Sequence, residues 1–167
     1  MYKLLIFLTA TLFFTLTANG QNYFFIGENS YPCTETITLH SNHDGRSNLN
    51  VAFAKDGTTG LIIVSTKTMS TVLIREKLII YLDDGTVISC IDRGNNDQVD
   101  LIASAVYYLT DEELSKMKNS NINTVRYTLK SETDSWVNML SGGNYSASNK
   151  GSSRTDFPAL ITEFLSE

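Results

Sequence analysis

Both histidines of the chain fall in one short segment, His40-Ser41-Asn42-His43-Asp44. Two imidazoles and a carboxylate on a folded-back turn have the donor chemistry of a transition-metal site. A catalytic metal also needs a third fixed ligand and a second layer of hydrogen bonds around it. Nothing in the spacing supplies these, and a polar turn accounts for the same residues. A second cluster, Asp92 to Asp100 (DRGNNDQVD), is rich in the oxygen ligands that calcium takes. Its glycine, Gly94, comes too early for an EF-hand, and no Glu closes the loop. Asn and Asp that bond their own backbone explain it as a connection between strands. Ser115-Lys116-Met117-Lys118 matches the SxxK of penicillin-interacting enzymes, but the SDN and KTG partners are missing. Asp83 and Asp84 resemble a catalytic carboxylate pair, yet a hairpin turn explains both. No catalytic residue, metal ligand or cofactor site is therefore assigned.

Aromatic and sulfur side chains complete the inventory. Tyr107 and Tyr108 are adjacent on a strand pattern, so one of them points away from the core. Tyr145 lies among Gly, Ser and Asn. Tyrosines in such company make adaptable recognition surfaces, so Tyr107, Tyr108 and Tyr145 are the candidate contact residues. Cys33 and Cys90 are the two cysteines. A disulfide between them suits an oxidising compartment; two independent thiols, with Cys90 a small core residue, are the alternative.

The elements that must carry these residues follow from periodicity. Residues 1–20 combine Lys3, an apolar stretch from Leu4 to Leu16, and Ala18 and Gly20 ahead of Gln21. This is the layout of a secretory signal peptide. Its apolar run is shorter than the roughly 20 residues a membrane span needs. The expected mature chain, 21–167, is one globular domain with no span left in it. Losing Lys3 leaves 12 basic against 18 acidic residues, a net charge of −6. That sign argues against nucleic acid, which is held by Lys and Arg on phosphates.

Alternating patterns predict strands over 34–40, 49–54, 61–66, 78–82, 86–91, 99–109 and 122–130. Residues 21–31 are aromatic but irregular, fitting a draped segment or a short strand. Asp83-Asp84-Gly85 is the strongest hairpin signal. Thr110-Asp111-Glu112-Glu113 opens a mid-chain helix with a capping box. A C-terminal helix capped near Thr155 or Asp156 carries Phe157, Leu160, Ile161 and Phe164 as an apolar stripe. Residues 131–154 are the least regular, with Trp136 as their expected anchor. The fold class is α+β and β-rich. It is a mostly antiparallel sandwich or curved sheet of about seven or eight strands, with a mid-chain and a C-terminal helix.

The stretch from Leu49 to Leu165 resembles a group of small exported bacterial proteins without assigned function. IIYLDDGTVI, YYLTDEE and NINTVRY carry the likeness. The resemblance implies a bacterial envelope or secreted, periplasmic location and transfers no site residue. Together these readings favour a non-enzymatic binding module whose partner is a protein or glycan at the cell exterior. The alternative is a small extracytoplasmic hydrolase with dispersed residues, which requires a cleft joining His40 or His43 to a carboxylate and a hydroxyl.

Overall fold

The computed structural model describes residues 22–131, 142–151 and 154–166. The signal-like segment and Trp136 lie outside the described residues. Among the described residues, eleven strands run in chain order as β1 (Asn22–Ile26), β2 (Asn29–Cys33), β3 (Ile37–Ser41), β4 (Leu49–Asp56), β5 (Thr59–Lys67), β6 (Val72–Leu82), β7 (Val87–Cys90), β8 (Asn96–Val99), β9 (Ile102–Leu109), β10 (Ile122–Ser131) and β11 (Gly143–Ser148). Helix α1 (Asp111–Asn119) follows β9, and helix α2 (Phe157–Ser166) ends the described chain. The protein is thus β-rich α+β, with a mid-chain and a C-terminal helix.

The strands form one sheet in the order β7-β6-β10-β11-β3-β4-β5-β9-β8, every pair antiparallel. It curls until β6 comes against β8 and β9. Two hydrogen bonds from Gln98 Nε2 close that seam, to Thr68 Oγ1 at 2.7 Å and to the Ser70 carbonyl at 2.9 Å. The enclosed face buries Val51, Phe53, Ile62, Val64, Ile74, Leu78, Ile80, Val125 and Tyr127 together.

Both helices seal this interior. On α1 the capping box forms as the sequence indicates: Thr110 Oγ1 accepts the Glu113 N–H at 3.2 Å, and Glu113 Oε2 accepts the Thr110 N–H at 2.8 Å. Leu114 and Met117 then face inward. On α2, Asp156 caps the first turn by accepting the Ala159 N–H. Phe157, Ile161 and Phe164 are buried at a helical period. Two asparagine amides fix where α2 begins. Asn149 accepts the Thr155 N–H and donates to the carbonyls of Thr155 and Ile122. Asn121 accepts the Phe157 N–H and donates to the Thr155 carbonyl.

The outer face is treated asymmetrically. β2 and β3 share one edge of β4, interrupted at Thr34–Thr36, and there β2 swings away. The β1–β2 hairpin contributes Ile26, Tyr31 and Cys33 to a second apolar cluster with Ala52, Ala54, Leu61, Ile63 and Val106. These belong to the outer face of β4, β5 and β9, since their neighbours Val51, Phe53, Ile62 and Val64 face the interior. The unbroken apolar run Leu61–Val64 is explained by burial on both faces.

One strand expectation is extended and one is corrected. Residues 22–31 form most of a regular hairpin with register Asn22 opposite Cys33. The single strand expected over 99–109 is split by a turn at Asp100 and Leu101, whose φ angles are 51° and 61°. β8 and β9 then pair with Val99 opposite Ile102. Leucine is strained in this left-handed region. Leu101→Gly is expected to raise stability by up to about 1 kcal/mol. A denaturant midpoint that falls would show that the exposed leucine side chain contributes more than its backbone costs.

Candidate functional site

The wall formed by β6, β10, β11 and β3 has no element packed on its outer face among the described residues. Alternation sends Val125, Tyr127 and Leu129 inward, leaving Thr124 and Arg126 outward on β10, while Thr128 is buried and donates to Asn144 Oδ1 at 2.9 Å. Register aligns these with their neighbours. One row runs Ile79, Arg126, Ser146, and the next runs Tyr81, Thr124, Ser148, His40. Ser148 Oγ lies 2.9 Å from Thr124 Oγ1, and Asn42 Nδ2 donates to Ser148 Oγ at 2.8 Å and Ser146 Oγ at 3.2 Å. Lys150 Nζ donates to Asn42 Oδ1 at 2.8 Å. This side of the wall is a braced lattice of hydroxyls and amides.

Beside the lattice lies a groove of about 490 Å³, lined by Glu76, Lys77, Ile79, Ile91, Asp92 and Arg126 together with Tyr127, Thr128 and Asn144. A bulge in β6 shapes it. Arg126 faces Ile79 but Thr128 faces Arg75, so three residues of β6 oppose one of β10. Glu76 sits in the bulge at φ 69°, which a non-glycine residue adopts only when its surroundings hold it there. Three groups do so. Tyr107 Oη reaches through from β9 and donates to the Glu76 carbonyl at 3.1 Å. Asp92 Oδ2 accepts the Glu76 N–H at 3.0 Å. Lys130 pairs with the Glu76 carboxylate and, by hydrogen bonding to it, holds that carboxyl below its ordinary pKa. Asp92 Oδ1 meanwhile accepts the Gly94 N–H at 2.7 Å. Both acids of the groove are thus engaged, whereas Lys77 and Arg126 make no hydrogen bond or ion pair among the described residues.

Tyr107 is therefore a brace, not a contact residue. It is 1% exposed, and burial pushes its phenol pKa well up. Tyr107→Phe leaves the Glu76 carbonyl unpaired and is expected to cost about 1 kcal/mol. Urea denaturation checks this; no loss would show that the bulge is held from outside alone.

The other sequence candidates are dispersed. Tyr108 lies on the opposite face of β9, partly buried beside the second apolar cluster, with Arg93 over its ring at 4.9 Å. Tyr145 is 8% exposed and packs against Tyr127 (5.9 Å between ring centroids) and His43 (5.3 Å), under the Arg46 guanidinium. The expected surface of Tyr107, Tyr108 and Tyr145 is corrected accordingly: two are buried, and the three do not share a face. His40 stands on the outer lattice while His43 turns to Tyr145, so the two imidazoles part. Among the described residues no three His, Cys, Asp or Glu side chains converge as metal ligands. In the Asp92–Asp100 loop, Asp92 and Asp97 accept backbone N–H groups, and Asn96 to Val99 form β8. Ser115 is exposed on α1, and Lys116 pairs with Glu112 at 2.6 Å.

The disulfide is also corrected. Cys33 and Cys90 are free and buried, Cys33 in the outer cluster and Cys90 in the interior one. Burial raises both thiol pKa values, that of Cys90 to about 12. The native protein is expected to react negligibly with a thiol reagent, then to show two thiols in guanidinium without reductant. Fewer than two on denaturation would restore the bridge.

The groove escaped sequence reading because its residues come from 76–79, 91–92, 126–128 and 144. The one local hint was the charged triplet Arg75-Glu76-Lys77 interrupting an apolar strand. Comparison of the chain with models of protein families, with curated proteins and with solved structures finds no match.

Proposed function

We propose that this chain is an exported bacterial binding module, without catalytic activity of its own, that engages a partner at the cell exterior through the open wall of β6, β10, β11 and β3. One observation carries the reading. Among the described residues, the same sheet covers one outer face with the β1–β2 hairpin and leaves the other open, furnished with a braced polar lattice and a groove. Left-handed backbone held by three separate contacts at the groove is the kind of strain found where a surface is shaped for a ligand. The signal-like residues 1–20 support an exterior location, and the acidic net charge argues against a nucleic-acid partner. The test is surface plasmon resonance of the mature chain against purified envelope glycans and surface proteins. Ser146→Arg should abolish any binding found, while Lys118→Glu on exposed α1 leaves it intact. Binding that survives Ser146→Arg, or that is lost with Lys118→Glu, would move the function off this wall.

A further inference from the structure

The groove's charges specify its ligand, if the binding-module reading holds. The mature chain has a net charge of −6, yet its two uncommitted groove side chains are both cationic. The acids nearby are already paired, Glu76 with Lys130 and Asp92 with backbone N–H groups. Lys77 and Arg126 therefore face solvent across a concavity whose two carboxylates, Glu76 and Asp92, are held by other partners. The guanidinium of Arg126 is a planar fork suited to a carboxylate. Ile79 and Ile91 give the concavity an apolar lining on which a ring face can rest.

The surroundings discriminate between carriers of that carboxylate. β10, at the centre of the groove, is paired by both β6 and β11, so it offers no free row of backbone N–H and C=O groups there. An extended peptide gains most from such a free edge. What the wall does present is side-chain hydroxyls and amides: Thr124, Asn144, Ser146 and Ser148. These match the hydroxyls of a sugar. We infer that the groove binds an acidic oligosaccharide, its carboxylate between Lys77 and Arg126 and its hydroxyls on the Ser, Thr and Asn lattice.

The test is calorimetric titration of the mature chain with a galacturonate tetramer, its neutral methyl ester and a tetraglutamate peptide. The acidic sugar should bind, and the ester and the peptide should each bind at least about tenfold more weakly. Arg126→Gln should weaken acidic-sugar binding about tenfold or more, and raising salt from about 50 to 500 mM should weaken it further, because the contact is partly ionic and exposed. An unchanged thermal melt of Arg126→Gln establishes that the loss is local. Equal binding of ester and acid, unaffected by Arg126→Gln, would overturn the anionic assignment while leaving a glycan-binding wall. Preference for tetraglutamate would replace sugar by acidic protein. Binding by none of the three would refute the acidic-sugar assignment, and loss of the wall reading itself would show separately as insensitivity to Ser146→Arg.

Discussion

Replacing Phe157 by alanine is expected to destabilise the protein by about 3–5 kcal/mol. Phe157 is fully buried at the first position of α2, its ring edge-on to Phe53 of β4 at 6.0 Å between centroids. The pair joins the terminal helix to the middle of the sheet. Its loss removes a large apolar side chain from the interior and leaves a cavity that Phe53, Met117 and Ile161 can fill only in part. The Asn121 and Asn149 bonds at the start of α2 resist the helix moving inward to close it. A cycle with Phe53→Leu should show coupling of about 0.5–1.5 kcal/mol for the aromatic pair. Urea unfolding followed by circular dichroism decides the matter. A loss below about 1 kcal/mol would mean that α2 contributes little to the core.

The second large effect is at the β6–β7 turn. Leu82 N–H donates to the Thr86 carbonyl and Gly85 N–H to the Leu82 carbonyl, giving a three-residue loop with Gly85 at φ 85°. Asp84 Oδ1 accepts the Thr86 N–H at 2.8 Å, and Asp84 N–H donates to Ser120 Oγ at 3.1 Å. Asp83 bonds Asn123 and pairs with Arg154, which together hold its carboxyl below the ordinary aspartate range. The turn therefore anchors β6 and β7 to the end of α1 and to the segment before α2. Asp84→Ala combined with Gly85→Val places a β-branched residue in the left-handed region and removes the turn's carboxylate. The expected loss is about 2–4 kcal/mol, against about 0.5 kcal/mol for His40→Ala or His43→Ala. Equal melting temperatures for the double variant and the histidine variants would contradict this assignment.

These two places were readable because local chemistry and tertiary role coincide there. Asp-Gly between apolar runs and an apolar stripe behind a capping aspartate each carry their own instruction. The Thr110–Glu113 capping box belongs with them. Elsewhere the local signal pointed another way. Val99, Leu101 and Ala103 keep the phase of one strand, and the turn between β8 and β9 uses Asp100 and Leu101 without a glycine. The Glu76 bulge broke the alternation of β6, so only its second half, Leu78–Leu82, was recognisable. The β1–β2 hairpin lies on the outside of the sheet, and its aromatics at 23–25 fall on both of its faces. The candidate site was least legible of all. It depends on Ile79, Arg126 and Ser146 being neighbours through strand register, and sequence spacing holds no record of that. Of the candidate tyrosines, Tyr145 is core and Tyr107 a brace, because a large amphipathic side chain serves burial as readily as recognition.

The most direct test of the open-wall reading is amide chemical-shift mapping of the mature chain titrated with fragments of bacterial envelope glycan, acidic and neutral. The account predicts shifts concentrated at Lys77, Ile79, Arg126, Asn144 and Ser146, with the β1–β2 hairpin and both helices silent. Shifts gathered instead around His43 and Tyr145, on the β1–β2 hairpin, or nowhere on the wall would contradict it.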